Sequence, residues 1–439
     1  MHTVPEENRR AFLVGVERKP VRTAHGLHGS HLTDWSVQDS LAELARLADT
    51  AGLRVVGSTW QKLDRPDAGT YVGSGKVREV RDAAAATNAG YVLFDDELAP
   101  GQQKKLEKEL GAGVRLLDRT RLILDIFALH AHSREGKLQV ELAQAEYLMP
   151  RLRRMWTHLE HQTGGIGVRG GPGEKQIEVD RRQVKRRIKA LRDEIAEHER
   201  QRERTVARRI DSYNVSIIGY TNAGKSTLLN ALTGADAFVE DLLFATLETK
   251  TKRLKLEGGY KILISDTVGF IRRLPHGLIA SFRATLEEAR NANLLLHIVD
   301  ASGAVVDAEM RAVEEVLLEL GIADTDQLVV FNKMDLVRDR AEIGGLLARH
   351  PGSVAISAAT GEGLPGLMSA IAEHAARNSA QVVLSVHAAD GRALSFIAQH
   401  GFELGRAYDG DFIRIEAMMP RGALEHLLGE HPSVKQVTA

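Results

Sequence analysis

Residues 219–227 read GYTNAGKST, and no other stretch constrains the chain as tightly. Gly219, Gly224, Lys225 and Ser226 occupy the fixed positions of GxxxxGK[ST]. The glycines let the loop fold back, so that the backbone N–H groups of Tyr220, Thr221, Asn222, Ala223 and Gly224 point inward at a phosphate. Lys225 then reaches the outer phosphate oxygens as a point charge, and the hydroxyl of Ser226, next to Thr227, is placed to ligate Mg²⁺. The flanks agree. Asn214 to Ile218 (NVSII) is a short apolar, β-branched run that reads as a buried strand. Ser226 to Leu232 (STLLNAL) reads as a helix whose N-terminus underlies the phosphates.

Three further stations follow in order. Asp266-Thr267-Val268-Gly269 ends the apolar run Lys261 to Ser265. A carboxylate there can hold Mg²⁺ through water, and the Gly269 N–H can meet a γ-phosphate. Asn332-Lys333-Met334-Asp335 ends the strand-like Gln327 to Phe331. The Asp335 carboxylate can accept from both N1–H and the 2-amino group of guanine, and adenine lacks that amino donor. Ser357-Ala358-Ala359 follows a short strand, Ser353 to Ile356, and fits a loop closing over the guanine oxygen. One such tetrapeptide is a weak signal. The ordered set, each piece at a strand end, resembles the G domain of a GTPase, a doubly wound sheet with its ligand at the carboxyl ends of the strands.

A length of 439 residues predicts about three domains. With no cysteine, neither disulfides nor thiol chemistry are open to the chain. The apolar run Ala11 to Val16 is too short for a signal peptide, and no run of about 18 apolar residues exists to span a membrane. These features predict a cytoplasmic protein without membrane insertion. A net charge of −1 gives no bulk attraction to nucleic acid, so any such attraction must be local.

Upstream of the phosphate loop, strands at Ala11–Val16, Leu53–Ser58, Tyr91–Phe94 and Val114–Leu117 alternate with helices at Val37–Ala51, Lys76–Ala86, Ala99–Leu110 and Thr120–His130. Alternation of this kind predicts an N-terminal α/β domain, residues 1–130, with a mainly parallel sheet. Its Gly73-Ser74-Gly75-Lys76 reads as a helix-entry turn, because the spacing of a phosphate loop is missing. The three histidines in His25–Asp34 read as a solvated loop, since no carboxylate or cysteine joins them at ligand spacing.

Residues 131–210 carry two apolar stripes. Leu138, Leu142, Ala145, Met149, Leu152, Trp156 and Leu159 form one, and Val184, Ile188, Leu191 and Ile195 the other. Between them lies the glycine-rich GGIGVRGGPG at 164–173, which predicts an antiparallel pair of long helices, kinked at Pro150. From Arg181 to Arg209 there are twelve Arg or Lys against five acids. Beside a tip whose backbone can approach phosphate closely, this excess predicts RNA contact through Arg169, Arg181, Arg182, Arg186 and Arg187; Trp156 and Tyr147 fit either a stacking role or the core. Residues 211–378 are the expected G domain. A short linker at Ala375–Ala380 leads to a small α+β domain, 379–439, with strands at Val382–His387 and Phe412–Glu416.

Several stretches together resemble the HflX family of translation-associated GTPases. They are YVGSGKV (71–77), LDRTRLILDIFALHAHSREGKLQVELAQ (117–144), GGIGVRGGPGE (164–174), FATLE (244–248) and DTVGFI (266–271). The resemblance covers roughly residues 10–378. Lys175 stands where the family pattern usually has Thr, which makes the tip more basic. What the resemblance implies is a GTP-hydrolysing switch, using GTP and Mg²⁺, that binds the large ribosomal subunit and its RNA and dissociates or rescues stalled ribosomes under stress. It also selects among Thr246, Thr249 and Thr251, between which spacing cannot choose. FATLE matches the first switch, so that Phe244, Ala245, Thr246, Leu247 and Glu248 flank the nucleotide and Thr246 ligates Mg²⁺. Lys225, Thr246 and Gly269 are then the catalytic set. Asn222 resembles its counterpart in GTPases that recruit K⁺. Phe270 follows the DxxG glycine where signalling GTPases carry a water-positioning Gln, and an apolar ring cannot orient a water. A monomer is expected. Two other roles fit the same motifs: a ribosome-assembly GTPase, and a guanine-nucleotide-dependent binding module with little turnover.

Overall fold

The computed structural model describes residues 9–18, 35–111, 113–155, 172–206, 213–234, 243–244, 250–256, 261–273 and 288–437, with backbone alone at 153–155, 172–178, 199 and 201–206. The loop His25–Asp34, the glycine-rich tip, Trp156, Arg169 and residues 245–249 lie outside that set. The chain forms two compact units. The first holds residues 1–197 with 241–247 and 273–283, and the second holds 198–240, 248–272 and 284–439.

The first unit is built on four strands: β1 (Arg10–Arg18), β2 (Arg54–Leu63), β3 (Tyr91–Phe94) and β4 (Arg115–Asp118). They are all parallel, in the order β2-β1-β3-β4. A parallel sheet needs crossover helices, and these are α1 (Val37–Thr50), α2 (Ser74–Ala86) and α3 (Pro100–Leu110); α4 (Arg119–His130) follows the last strand. Helices α2 and α3 place Val77, Val80, Leu106 and Leu110 on Phe12, Val14, Val92 and Phe94 of the sheet. Both faces are covered, which is why β3 is buried at every position. The strands run longer than the apolar runs implied. β2 continues to Leu63 through polar residues because Gly15–Arg18 of β1 supply pairing partners at Trp60–Leu63. The turn at Gly73 is a helix entry, as expected: Gly73 N–H donates to Gln61, and Lys76 is spent on Thr59 and Glu79.

Beyond α4, helix α5 (Arg134–Met155) continues past Pro150, and α6 spans Pro172–Val206. The two stripes meet as expected, Leu138 and Leu142 packing with Ile188, Leu191 and Ile195. The basic face is partly engaged within the pair. Arg187 makes two 2.7 Å bonds to Glu141, and Arg192 pairs with Glu146 at 2.7 Å. Tyr147 is not a stacking platform. Only 9% exposed, it donates to Asp118 at 2.9 Å and carries the Arg151 guanidinium over its ring.

In the second unit a six-stranded sheet runs β10-β9-β8-β5-β7-β6. Its members are β5 (Tyr213–Gly219), β6 (Lys250–Lys255), β7 (Lys261–Asp266), β8 (Leu294–Asp300), β9 (Gln327–Asn332) and β10 (Val354–Ala355). All pairings are parallel except β6 with β7. The helices are α7 (Lys225–Thr233), α8 (Val306–Leu320), α9 (Arg340–Arg349) and α10 (Leu364–Arg377). The remaining residues form a βαββαβ domain: β11 (Ser379–His387), α11 (Gly391–His400), β12 (Phe402–Asp409), β13 (Phe412–Pro420), α12 (Arg421–Glu430) and β14 (Lys435–Val437). Its sheet is antiparallel, in the order β12-β13-β11-β14. The expected linker at Ala375–Ala380 does not exist. Helix α10 runs to Arg377 and β11 begins at Ser379, because Ala375 is wanted in the G-domain core and Ala380 packs on the next one. Among the described residues no helix is long and apolar enough to cross a membrane.

Arg119, 2% exposed, pairs with the buried carboxylates of Glu43 and Asp95, the latter at 2.7 Å. Removing one partner of such a cluster strands the others in a medium that cannot solvate them. Arg119→Ala should therefore cost roughly 3–5 kcal/mol, read as a lower urea midpoint for the first unit. A midpoint unchanged from the parent would show that the cluster is solvated.

Candidate guanine-nucleotide site

Strand β5 delivers Gly219, and α7 begins at Lys225. The loop between them is held from three sides, all within the second unit. Asn332, at the end of β9, donates from Nδ2 to the Ala223 carbonyl at 2.8 Å. Its Oδ1 accepts from the Ala358 N–H at 2.9 Å. The Met334 N–H donates to Ile356 O at 3.1 Å. The first residue of the NKMD station thus ties the phosphate loop to the Ser357-Ala358-Ala359 loop, and all three sequence stations come together at one edge. Gly224 has φ +91°, and a Cβ there would collide with the Asn332 amide. Glycine is required both for the backbone angle and for that contact.

The DTVG segment joins from the other side. The Phe270 N–H donates to Gly219 O at 3.0 Å, and the Thr221 N–H returns to Phe270 O at 2.8 Å. Thr267 Oγ1 donates to Ile217 O at 2.7 Å. A Cβ on Gly269 would lie 2.9 Å from both Lys225 Nζ and Thr221 Cα, so its backbone can approach a terminal phosphate only as glycine. The Phe270 ring is 3% exposed. Its backbone braces the loop and its ring has no polar atom to offer a water.

Lys225 Nζ donates to Tyr220 O at 2.7 Å. Burial pushes its ammonium down to about 8, while Asp266 and Glu309 oppose the fall and Lys333 adds to it. Ser226 Oγ donates to Asp266 Oδ2 at 2.6 Å. Thr221 Oγ1 is buried with no hydrogen-bond partner among the described residues. A buried cation, an orphaned hydroxyl, a hydroxyl–carboxylate pair and a Cβ-free cradle together suit a polyphosphate carrying a hard cation. When bound, Mg²⁺ would be held by Ser226 directly and by Asp266, neutralising charge between the outer phosphates.

The base side was only half legible. Asp335 is exposed beside Lys333, which is in the left-handed region at φ 63°. Lys333 Nζ pairs at 2.8 Å with Asp300, the last residue of β8. Sequence reasoning missed Asp300; its signal was the single acid that ends the apolar run LLLHIVD. Of the FATLE residues only Phe244 is described. It belongs to the first unit, 2% exposed, with its ring 4.5 Å from that of Phe127. Thr246, Ala245, Leu247 and Glu248 lie outside the described residues.

Three outcomes follow from this geometry. Asp335→Asn should weaken GTP binding and shift preference toward XTP, because two acceptors become one acceptor and one donor; calorimetry against both nucleotides tests it, and unchanged GTP affinity would remove Asp335 from base recognition. Asp300→Ala should release Lys333 and weaken GDP and GTP binding about three- to tenfold with hydrolysis per bound GTP unchanged, the loss expected of one charge-assisted bond. The lowered Lys225 value predicts proton uptake. At pH 8.5 the free amine is mostly neutral and a phosphate recharges it, so GDP binding should take up most of a proton, whereas at pH 7 it should take up almost none. Calorimetry in two buffers of different ionisation enthalpy reads this; equal uptake at both pH values would contradict it.

The comparisons agree with the site. Residues 38–128 match the family described as "GTP-binding GTPase N-terminal", 130–209 its "Middle Region", and 214–333 the "50S ribosome-binding GTPase". The chain is 42% identical over 395 residues to the GTPase HflX of Magnetococcus marinus, covering 90% of this chain and 91% of that one. It is 40% identical over 400 residues to the GTPase HflX of Escherichia coli, covering 90% and 93%. Among solved structures, a GTP-binding protein from Sulfolobus solfataricus in complex with GDP aligns at TM-score 0.42 and 24% identity, over 83% of this chain and 98% of that one. Spacing, geometry and relatives converge: this chain belongs to the HflX family of GTPases, and GTP hydrolysis is its chemistry.

Proposed function

We propose that the protein is a GTP-driven switch that binds the large ribosomal subunit through its RNA and dissociates or rescues stalled ribosomes under stress. The observation that carries this reading is the match of residues 214–333 to the ribosome-binding GTPase family. The basic hairpin supports it. Arg186 is exposed and Arg181 half-exposed, and neither makes an ion pair with a described residue, whereas Arg187 is already committed to Glu141. Arg181 and Arg186 are the described groups available for phosphates, and Arg169 and Arg182 are the further candidates from the sequence.

In this mechanism Lys225, the phosphate-loop N–H groups and the Gly269 N–H hold the terminal phosphate, and Thr246 would ligate the Mg²⁺ that neutralises charge there. Hydrolysis removes the contact that ordered Thr246 and Gly269, and both segments relax. K⁺ beside Asn222 would add charge to the transition state. Among the described residues the site offers no arginine finger and no water-positioning amide, since Phe270 occupies that place. Such gaps typically cost on the order of 10³–10⁵ in rate, so the protein alone turns over slowly and a partner completes the site.

Single-turnover assays test this directly. Hydrolysis should rise at least about tenfold with purified large subunits, or roughly 1.4 kcal/mol off the barrier. The rise should vanish in Lys225→Ala and persist in Phe270→Ala. Equal rates with and without subunits would promote the low-turnover binding module. Reversing Arg181, Arg182 and Arg186 should abolish co-sedimentation with ribosomes while leaving GTP affinity intact, and parent binding should weaken steeply with salt. Preference for immature over mature particles would favour the assembly role.

A further inference from the structure

The first unit contains a cleft of about 520 Å³, remote in sequence from every nucleotide motif. Its floor is the outer edge of β4, and its walls are α3 and α5. Among the described residues, strand β4 is the last in its sheet and pairs only with β3. The Arg115 N–H donates inward to Gly90 O at 2.9 Å. Strand geometry alternates the direction of these groups, so Leu116, the next residue, presents its N–H and C=O to the cleft. An unpaired edge at the bottom of a groove is a template for another strand.

The walls say what kind of strand. Arg151 is a latch rather than a recogniser. Its donors go to Gln103 at 3.1 Å, Tyr147 O at 2.9 Å and Leu98 O at 2.8 Å, which fixes α5 against α3. Leu148, 37% exposed, offers an apolar surface within the cleft. Lys104, Arg115 and Arg121 line it with positive charge, Arg121 being paired with Asp125 at 3.0 Å. Arg115 makes no side-chain hydrogen bond or ion pair with a described residue. The single acid, Glu107, accepts from Gln103 at 3.0 Å.

We propose that this cleft is a docking groove for an extended acidic segment of a partner protein, which adds to β4 as a fifth strand and alternates carboxylates with aliphatic side chains. The backbone supplies the pairing, the basic rim selects acids, and Leu148 takes the apolar residues.

The probe is a fluorescein-labelled peptide of alternating glutamate and valine, titrated against the full-length protein by anisotropy. Binding is expected, weakened at least about tenfold, or 1.4 kcal/mol, by Arg115→Glu. That variant should keep the parent's melting temperature and GTP hydrolysis, because Arg115 is exposed. Strand addition makes a sharper demand. Of two peptides N-methylated at alternate positions, one should lose binding and the other keep it, since only every second N–H faces β4. Equal binding by both methylated peptides, by a lysine–valine peptide, or by Arg115→Glu would overturn the proposal. So would displacement by single-stranded RNA in place of peptide binding.

Discussion

Asn332 is the joint of the nucleotide site. One side-chain amide donates to the phosphate loop and accepts from the Ser357-Ala358-Ala359 loop. Phosphate recognition and base recognition are chemically separate tasks, and a G domain must perform both on one ligand of fixed length. A single amide bonded at 2.8 and 2.9 Å sets that length in the protein before ligand arrives. The glycine at 224 is the other half of the joint, since any side chain there would displace the amide.

The same economy runs through the phosphate end. Burial strips water from Lys225 and so lowers the cost of giving up its proton, while Asp266 and Glu309 oppose the fall. The Ser226–Asp266 bond keeps the two groups that would hold Mg²⁺ in contact with each other. Arrival of a charged ligand replaces these internal contacts instead of ordering free side chains, so less rotamer freedom is lost on binding.

What could be read from the sequence was whatever is local. The phosphate loop, NKMD and the parallel α/β alternation are patterns within about 30 residues, and the structure holds them where the pattern put them. Contacts between distant segments stayed hidden. β6 (KTKRLK) is a strand because β7 pairs with it, and its charged sequence suits an edge. Tyr147 looked available because its amphipathic helix was legible and Asp118, its partner, was not adjacent in sequence. Asp300 was invisible for a different reason: an acid at a strand end has many uses, and only proximity to Lys333 assigns one. The hairpin charge excess was counted correctly, but counting could not show that Arg187 and Arg192 are answered across the helices.

The missing linker before the last domain has a mechanical consequence. A single residue, Asn378, separates α10 from β11, and Lys261 at the start of β7 donates to Ala398 O of α11 at 3.0 Å. The domain therefore joins the G domain through one intervening residue and one lysine bond to β7, the strand that carries Asp266 at its far end, so the junction holds little chain entropy.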